Sequence, residues 1–193
     1  QGREVVTSVS IGIVVSADRY ERAEQMVRDA DTAMYKAKEL GKGRCEIFDL
    51  SLLAAAEERL QLEEDLRHAL ERGELSLHYQ PVVSLLEGRL CGFEALLRWT
   101  HPTRGMVPPS AFIPIAEETG LIVPIGHWVL MQACRQMTAW DRDFPHCRDL
   151  TISVNLSARQ CMQPGLIGDV THVLKSTGIA PERLKLEITE SII

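Results

Sequence analysis

Strand-like and helical patterns alternate along most of this chain of 193 residues. Two strand-like runs, LSLHYQPVVSL and RLCGFEALLRW, are joined by a turn at Glu87 and Gly88. Helical stretches follow around residues 110–118 and 124–141, and the strands TISVNL and LKLEIT flank a helix near residues 165–177. Because parallel strands need crossover helices between them, this alternation indicates a parallel sheet or a barrel. The predicted fold class is α/β.

A separate strand-helix-strand pattern occupies the first 50 residues. Residues 5–15 alternate as a strand with one buried side, a capping-box spacing at Asp18 and Glu21 begins a helix, and that helix stops at Gly41 before a short strand, RCEIF. The apolar face of the strand consists of Val5, Thr7, Val9, Ile11, Ile13 and Val15. A piece of fewer than about 50 residues seldom buries enough surface to fold alone. It is therefore predicted to be the α+β remnant of a larger domain.

A helix with leucine and alanine near one side and many Glu and Arg residues on its surface runs from Ser51 to Gly73. We interpret it as a connector between domains. The predicted organisation is a remnant at residues 1–50, a connector helix at residues 51–73 and a second domain at residues 74–193.

Charge and hydropathy argue against two classes of partner. The formal net charge of −6 disfavours general binding of DNA or RNA, which needs a clustered basic face. No apolar run reaches the roughly 18–20 residues that span a bilayer, so no membrane contact is expected from this chain and a cytoplasmic location is predicted. Membrane tethering of a longer parent protein stays open. The five cysteines are scattered and are expected to be inert packed thiols.

Polar residues occupy one side of three successive predicted strands. Glu94, Asn155 and Glu187 each lie opposite apolar residues that would pack on helices. In a barrel of parallel strands such inward residues converge at the carboxyl ends of the strands. Carboxylate and amide oxygens are ligands of magnesium or manganese, and a bound cation lowers the pKa of its water.

Plainer interpretations of the same residues remain open. A lone Glu on a strand is usually solvated or ion-paired, and Asn155 could serve the turn before Ser157, where a capping box with Gln160 is predicted. Arg98 with Trp99, His101 and Pro102 suggests a phosphate or base-stacking site, but the residues alone favour an Arg98 that pairs with a nearby acid and a Trp99 that packs in the core. Three of the six histidines, His78, His101 and His127, show no metal-ligand spacing and are expected to be structural.

A specific resemblance joins these features. The segments YQPVVSL, GFEALLRWTHP, FIPIAEETGLIVPIGHWVL, ISVNLSARQ and LKLEITES occur in the order found in EAL domains, over residues 75–193. SVSIGI followed by DADTAMYKAKELGKGR resembles the closing segment of a GGDEF domain, over residues 5–48. The resemblance implies a tandem GGDEF-EAL protein of cyclic di-GMP signalling, with a partial TIM-like (β/α) barrel after the connector.

The EAL resemblance implies hydrolysis of cyclic di-GMP to linear pGpG with Mg²⁺ or Mn²⁺, and a possible homodimer through this domain. It assigns metal ligation to three residues and the nucleotide site to three others, and no residue of this chain is assigned as a catalytic acid or base. The metal ligands are Glu94, Asn155 and Glu187, and the nucleotide site is lined by Gln80, Leu97 and Arg98. In the GGDEF remnant, the resemblance matches Lys38 to a lysine near nucleotide phosphates, and Lys42 stands where an arginine is more usual. Both could equally be solvated cations at a helix end.

Departures from the two families set the expected limits. The aspartates, the lysine and the second glutamate that the EAL family carries on later strands have no counterpart before Ile193, and the GGDEF signature loop is missing. The chain by itself is therefore expected to be inactive, although its parent is predicted to be a phosphodiesterase. The alternatives are an EAL-like sensor or interaction module that does not cut, and a diguanylate cyclase that its EAL half regulates.

Overall fold

The structure, a computed structural model, describes residues 8–15, 20–145 and 149–188, without the side chain of Leu50. The predicted positions that lie outside these residues are Val5, Thr7, Asp18, Cys147 and Thr189. The chain forms two compact units, Gln1–Leu62 and Glu63–Ile193.

In the first unit, helix α1 (Ala23–Glu39) connects two parallel strands, β1 (Ile11–Ile13) and β2 (Cys45–Ile47). Gly12 lies against α1 so closely that a Cβ there would stand 1.9 Å from the carbonyl oxygen of Ala30. Asp29, buried in α1, accepts hydrogen bonds from the Tyr20 hydroxyl and the Arg28 guanidinium. The predicted strand-helix-strand order is thus present, with shorter strands than expected.

The expected buried side of the first strand is wrong for the residues that the structure describes. Val9, Ile11, Ile13 and Val15 are exposed, and α1 packs instead on the opposite side, at Gly12. Gly12 has no side chain to separate the strand from the helix, so the helix backbone approaches this side. The apolar alternation was correct as a strand pattern, but it did not indicate which side the helix covers.

Helix α2 (Leu50–Ala69) follows, and the division between the two units falls inside it, after Leu62. Its last helical residue comes four positions before Gly73, which adopts a positive φ of 69°. The three-part organisation at residues 1–50, 51–73 and 74–193 stays a prediction.

The second unit is built on a sheet with strand order β3-β4-β6-β7, in which the short strand β5 also pairs with β4. The strands are β3 (Leu75–Val83), β4 (Leu90–His101), β5 (Gly105–Val107), β6 (Thr151–Leu156) and β7 (Leu184–Ile188). Strands β4, β6 and β7 are parallel, as the alternation with helices predicted.

Strand β3 departs from the predicted parallel arrangement, because it pairs with β4 antiparallel. The connection between them, residues 84–89, is too short for the crossover that parallel neighbours require. It is closed by hydrogen bonds between Ser84 and Arg89 and between Gly88 and Ser84, at 2.9 and 2.8 Å. The predicted turn at Glu87 and Gly88 is therefore a hairpin.

Helices α3 (Pro109–Thr119), α4 (Ile122–Asp143), α5 (Ala158–Cys161) and α6 (Leu166–Thr177) complete this unit. Their aromatic residues pack on one face of the sheet: Phe112 lies 5.5 Å from Trp99, and Trp140 lies 4.7 Å from Phe93 between ring centroids. Trp99 is fully buried, which confirms the prediction that it packs in the core. The predicted stop of α6 at Gly178 is also confirmed, with φ 74°.

Within the described ranges, no helix combines the length and apolar character needed to cross a bilayer. The four cysteines in these ranges are free thiols, but only Cys134 is fully buried, and Cys45 is exposed. The expectation of packed thiols therefore fits Cys134 and is wrong for Cys45. Burial raises the pKa of the Cys134 thiol to about 11.

Candidate functional site

The face of the sheet that lies away from α3 and α4 carries polar side chains from four strands. Residues directly paired across neighbouring strands project to the same side. Gln80 pairs with Glu94, Glu94 with Ser153, and Asn155 with Glu187. Because Ser153 and Asn155 are two residues apart on one strand, all of these side chains share one face.

The opposite face of β4 confirms this assignment. Phe93 and Trp99, which alternate in parity with Glu94, contact Trp140 of α4 and Phe112 of α3. Apolar residues at these positions anchor the strand to the helices, and the period of two then places Glu94 on the polar side. The sequence pattern alone therefore determined the side on which this carboxylate lies.

A hydrogen bond joins Glu94 and Asn155 across neighbouring strands. The Asn155 amide Nδ2 donates to Glu94 Oε1 at 2.7 Å, although the two residues are 61 positions apart in the chain. The amide thus fixes one carboxylate oxygen, while its own Oδ1 stays available as an acceptor. This contact brings together two of the three residues that the sequence analysis placed at one site.

Glu187 lies on the next strand, in direct register with Asn155. Neighbouring strands stand about 4.8 Å apart, so the Glu187 carboxylate projects beside the Asn155 amide. Both side chains are exposed on this face, and Glu94 is half-buried. The three residues therefore line up across β4, β6 and β7, in the order Glu94, Asn155, Glu187.

This set of donors suits a hard divalent cation. Two carboxylates and one amide oxygen match the oxygen ligands that Mg²⁺ and Mn²⁺ prefer. Among the described residues, no group of three or more His, Cys, Asp or Glu side chains could hold a metal ion. The present set has two acids, Glu94 and Glu187, and its third donor is an amide. The chemistry of these donors fits a cation that takes its remaining ligands from water or substrate.

The residues predicted to line the nucleotide site do not all lie on the same face of the sheet. Gln80 and Arg98 share the face of Glu94, whereas Leu97 has the opposite parity and points to the helix side. The Arg98 guanidinium donates through Nη1 to the carbonyl of Leu97 at 2.9 Å. Within the part of the chain that the structure describes, no carboxylate forms an ion pair with Arg98.

The turn that follows Asn155 is held by a buried capping box. The Ser157 amide and hydroxyl both donate to Oε1 of Gln160 at 3.1 Å, and the Gln160 amide donates to the Ser157 hydroxyl at 3.3 Å. The predicted box is therefore confirmed. Gly126 of α4 lies directly against it, since a Cβ there would stand 1.9 Å from Nε2 of Gln160.

Arg159, in the same turn, reaches the end of α3. Its Nη1 donates to the carbonyl oxygens of Glu117 and Glu118, the latter at 2.8 Å. A cation at the carboxyl end of a helix satisfies carbonyls that have no partner inside the helix. Sequence reasoning missed Arg159 and Gly126, since each acts on a residue more than 30 positions away and no local pattern marks it.

The histidines differ in their surroundings. His101 is buried, and its Nε2 lies 3.2 Å from the Asp65 carboxylate, which agrees with the prediction that it is structural. His78 is paired in register with Leu96, and so it lies on the polar face, where it is exposed. His127 is half-buried in α4.

In the first unit, the structure places Lys38 and Lys42 at the end of α1. Lys38 is in the last helical turn, and Lys42 follows the helix with a positive φ of 64°; both side chains are exposed. The Lys42 amide donates to the carbonyl of Ala37 at 3.1 Å and so helps to close the helix. This geometry suits the helix-end interpretation, and a nucleotide contact at these lysines stays a prediction.

Comparison with known proteins places both units in families. Residues 63–193 match the model of the EAL domain, and residues 1–44 match that of the diguanylate cyclase GGDEF domain. The chain is 48% identical over 188 residues to the bifunctional diguanylate cyclase/cyclic di-GMP phosphodiesterase MucR of Pseudomonas aeruginosa, covering 97% of this chain and 27% of MucR. It is 39% identical over 191 residues to the cyclic di-GMP phosphodiesterase PdeR of Escherichia coli, covering 98% of this chain and 28% of PdeR. It thus spans little more than a quarter of either relative.

A solved structure of the PaMucR phosphodiesterase in complex with c-di-GMP is similar to this chain. It shares 51% sequence identity and superposes with a TM-score of 0.64, covering 67% of this chain and 52% of that chain. This likeness confirms the predicted partial TIM-like α/β fold.

Proposed function

Because this chain belongs to the EAL domain family and carries a segment of the GGDEF family before it, we propose that its parent protein hydrolyses cyclic di-GMP. The proposed reaction cleaves one phosphodiester bond and yields linear pGpG. MucR and PdeR are both named as cyclic di-GMP phosphodiesterases, and each is at least 39% identical to this chain. The proposal concerns the parent protein, because the chain spans only part of these relatives.

The observation that carries the proposal is the hydrogen bond between Asn155 and Glu94, with Glu187 in register beside it. It supports a shared oxygen site for one or more divalent cations on the polar face. Glu94 and Glu187 would supply negative charge, and Asn155 would hold the Glu94 carboxylate in place. When bound, Mg²⁺ or Mn²⁺ would supply a water molecule of lowered pKa as the nucleophile.

Arg98 and Gln80 would bind the substrate on the same face. Arg98 lies four residues beyond Glu94, roughly 13 Å along the strand, a distance that a dinucleotide can bridge. Its guanidinium has no carboxylate partner within the described ranges, so its remaining donors suit a phosphate of the ligand. Gln80, paired with Glu94 and exposed, would contact the nucleotide. The Leu97 side chain has the helix-facing parity, so we propose a nucleotide contact for its backbone at most.

We test this proposal with the parent protein, including whatever sequence flanks these 193 residues. The protein is incubated with cyclic di-GMP and Mg²⁺ or Mn²⁺, and pGpG is measured by chromatography. Glu94→Gln removes one charge while it preserves the shape of the side chain, and kcat should fall at least roughly 100-fold. Arg98→Ala should raise KM by roughly 10-fold to 100-fold, since it removes a charged hydrogen bond.

Glu182→Gln is the matched control, because Glu182 is exposed in the short 3₁₀ turn before β7 and lies apart from the polar face. It should turn over like the wild type. Binding of cyclic di-GMP without any pGpG would favour the sensor, and equal losses in Glu94→Gln and Glu182→Gln would contradict the site. Sedimentation of the parent protein tests the further proposal of a homodimer through the EAL domain.

A further inference from the structure

The carboxyl-terminal half of β4 is held by α2 and by the segment that follows it. The indole Nε1 of Trp99 donates to the Glu74 carboxylate at 2.9 Å, and the Thr100 amide donates to the Glu74 carbonyl at 2.9 Å. Two residues after Trp99, Nε2 of His101 lies 3.2 Å from Oδ2 of Asp65 in α2. These contacts all lie within the second unit.

The His101 ring is fixed from both of its nitrogens. Its Nδ1 accepts hydrogen bonds from the backbone amides of Thr103 and Arg104 at 3.3 and 3.2 Å. The ring proton therefore resides on Nε2 and is donated to Asp65. The His101 side chain is 7% exposed and the Asp65 side chain 23%, so water competes little for this hydrogen bond.

Arg98 lies directly before this clamped stretch, on the opposite face of the strand. Its hydrogen bond within the described ranges goes to the carbonyl of the preceding residue, so no other element orients the guanidinium. The backbone of β4 alone sets where Arg98 projects. That backbone is held by the ladders with β3 and β5. Near its carboxyl end it is also held by Glu74 at Trp99 and by Asp65 at His101.

We infer that Asp65, acting through His101, is a positioning residue that holds β4 so that Arg98 meets a phosphate of the ligand. The inference rests on the proposed function, in which Arg98 binds cyclic di-GMP. Substitution of Asp65 would let His101 and the end of β4 shift, so ligand affinity should fall. The proposed metal ligands around Glu94 would stay in place. The effect is one of geometry and not of charge.

The test is a double-mutant cycle in the parent protein, with KM and kcat for cyclic di-GMP as readouts. Asp65→Ala should raise KM about fivefold to tenfold and leave kcat within about twofold. In an Arg98→Ala background, the same substitution should leave KM unchanged, since the residue that it positions is already gone. A purely structural role would give the same fold-change in both backgrounds and would overturn the inference.

Two conservative variants separate geometry from charge and replace Asp65→Ala if it fails to fold. Asp65→Asn keeps an acceptor oxygen in place, so KM should return to within about twofold of wild type. Asp65→Glu keeps the charge but lengthens the side chain by one methylene, so KM should rise. The reverse order, in which the neutral variant alone changes KM, would contradict the inference.

Glu64→Ala is the control on the same helix, because Glu64 is exposed beside Asp65. It should behave like the wild type. If the wild type binds cyclic di-GMP without cleaving it, the cycle is read from the Kd, and only the hydrolase part of the proposed function has failed. A wild type that neither binds nor cleaves refutes the proposed function and this inference with it, whereas an active wild type with additive variants refutes the inference alone.

Discussion

Replacing Gly126 by alanine should destabilise the second unit, against the usual preference of helices. Alanine in a helix interior is favoured over glycine by about 1 kcal/mol. At Gly126, however, the added Cβ would stand 1.9 Å from Nε2 and 2.8 Å from Cδ of Gln160, which is buried. The Gln160 side chain would have to leave the capping box, so the strain and the lost cap outweigh the helix preference.

The magnitude follows from these opposing terms. Overpacking costs about 1–3 kcal/mol, and loss of a capping interaction costs about 1 kcal/mol. After subtraction of the helix preference, Gly126→Ala should lower the free energy of unfolding by about 1–3 kcal/mol. Because Asn155 lies just before the same turn, the variant should also weaken divalent cation binding.

Urea denaturation followed by tryptophan fluorescence measures this effect. The three tryptophans, Trp99, Trp128 and Trp140, all lie in the second unit, so their signal reports this unit alone. Gly168→Ala is the matched control, since Gly168 lies in α6 with no atom within 4 Å of an added Cβ. It should be neutral or stabilising by up to about 1 kcal/mol.

A second substitution isolates the contact. In a Gln160→Ala background the space beside Gly126 is open, so Gly126→Ala should no longer cost stability. The difference between the two backgrounds should be about 1–3 kcal/mol. The reasoning is refuted if Gly126→Ala stabilises the protein as much as Gly168→Ala does.

Three further predictions concern the buried Cys134 thiol and the half-buried pair of Arg183 and Asp141. Because burial raises the pKa of Cys134 from its ordinary value of 9.0 to about 11, roughly 1% of this thiol is ionised at pH 9, and iodoacetamide should label the exposed Cys45 far faster by mass spectrometry. Burial of the neutral thiol contributes to the free energy of unfolding below pH 9, and this contribution should be lost as the pH rises from about 9 to about 11. If Cys134→Ala loses as much stability as the wild type over this pH range, the prediction is wrong. Arg183 donates to both Asp141 oxygens at 2.6 and 3.0 Å and to the carbonyl of Leu150 at 2.8 Å. Asp141→Ala should therefore lower the urea-derived stability by about 1.5–3 kcal/mol, and no measurable loss would show that the pair is only a surface contact.

Strand parity was the part of the structure that the sequence predicted most directly. The alternation around Glu94 and around Asn155 reflects burial on one side, and burial acts on each residue locally. The structure accordingly has Phe93 on Trp140 and a hydrogen bond between Glu94 and Asn155. The capping box at Ser157 was predictable for the same reason, because its two partners are three residues apart.

The direction of β3 was predicted wrongly because the overall alternation of strands and helices was given more weight than the local turn signal. Alternation of strands and helices predicts a parallel sheet, but no helix separates β3 from β4. The turn at Gly88 already indicated a hairpin, whose strands must be antiparallel. The alternation along β4 likewise places Leu97 and Arg98 on opposite faces of the strand. The predicted nucleotide contact of Leu97 therefore came from the family resemblance alone.

Contacts over long stretches of chain left no pattern in the sequence. Arg159 caps α3, although more than 40 positions separate them in the chain. Asp65 of α2 contacts His101 of β4, with the whole of β3 between them in sequence. The exposed side of β1 is a similar case, because the period of two cannot tell which face a helix covers. These features depend on how the elements pack and not on the residues next to them.

Anomalous diffraction from crystals of the parent protein grown with Mn²⁺ is the most direct test of the metal site. We predict an anomalous peak on the polar face within roughly 2.1 Å of carboxylate oxygens of Glu94 and Glu187 and of the Asn155 amide oxygen. The peak should disappear in Glu94→Gln and persist in Glu182→Gln. Manganese bound elsewhere, with these three side chains turned away from one another, would contradict the account.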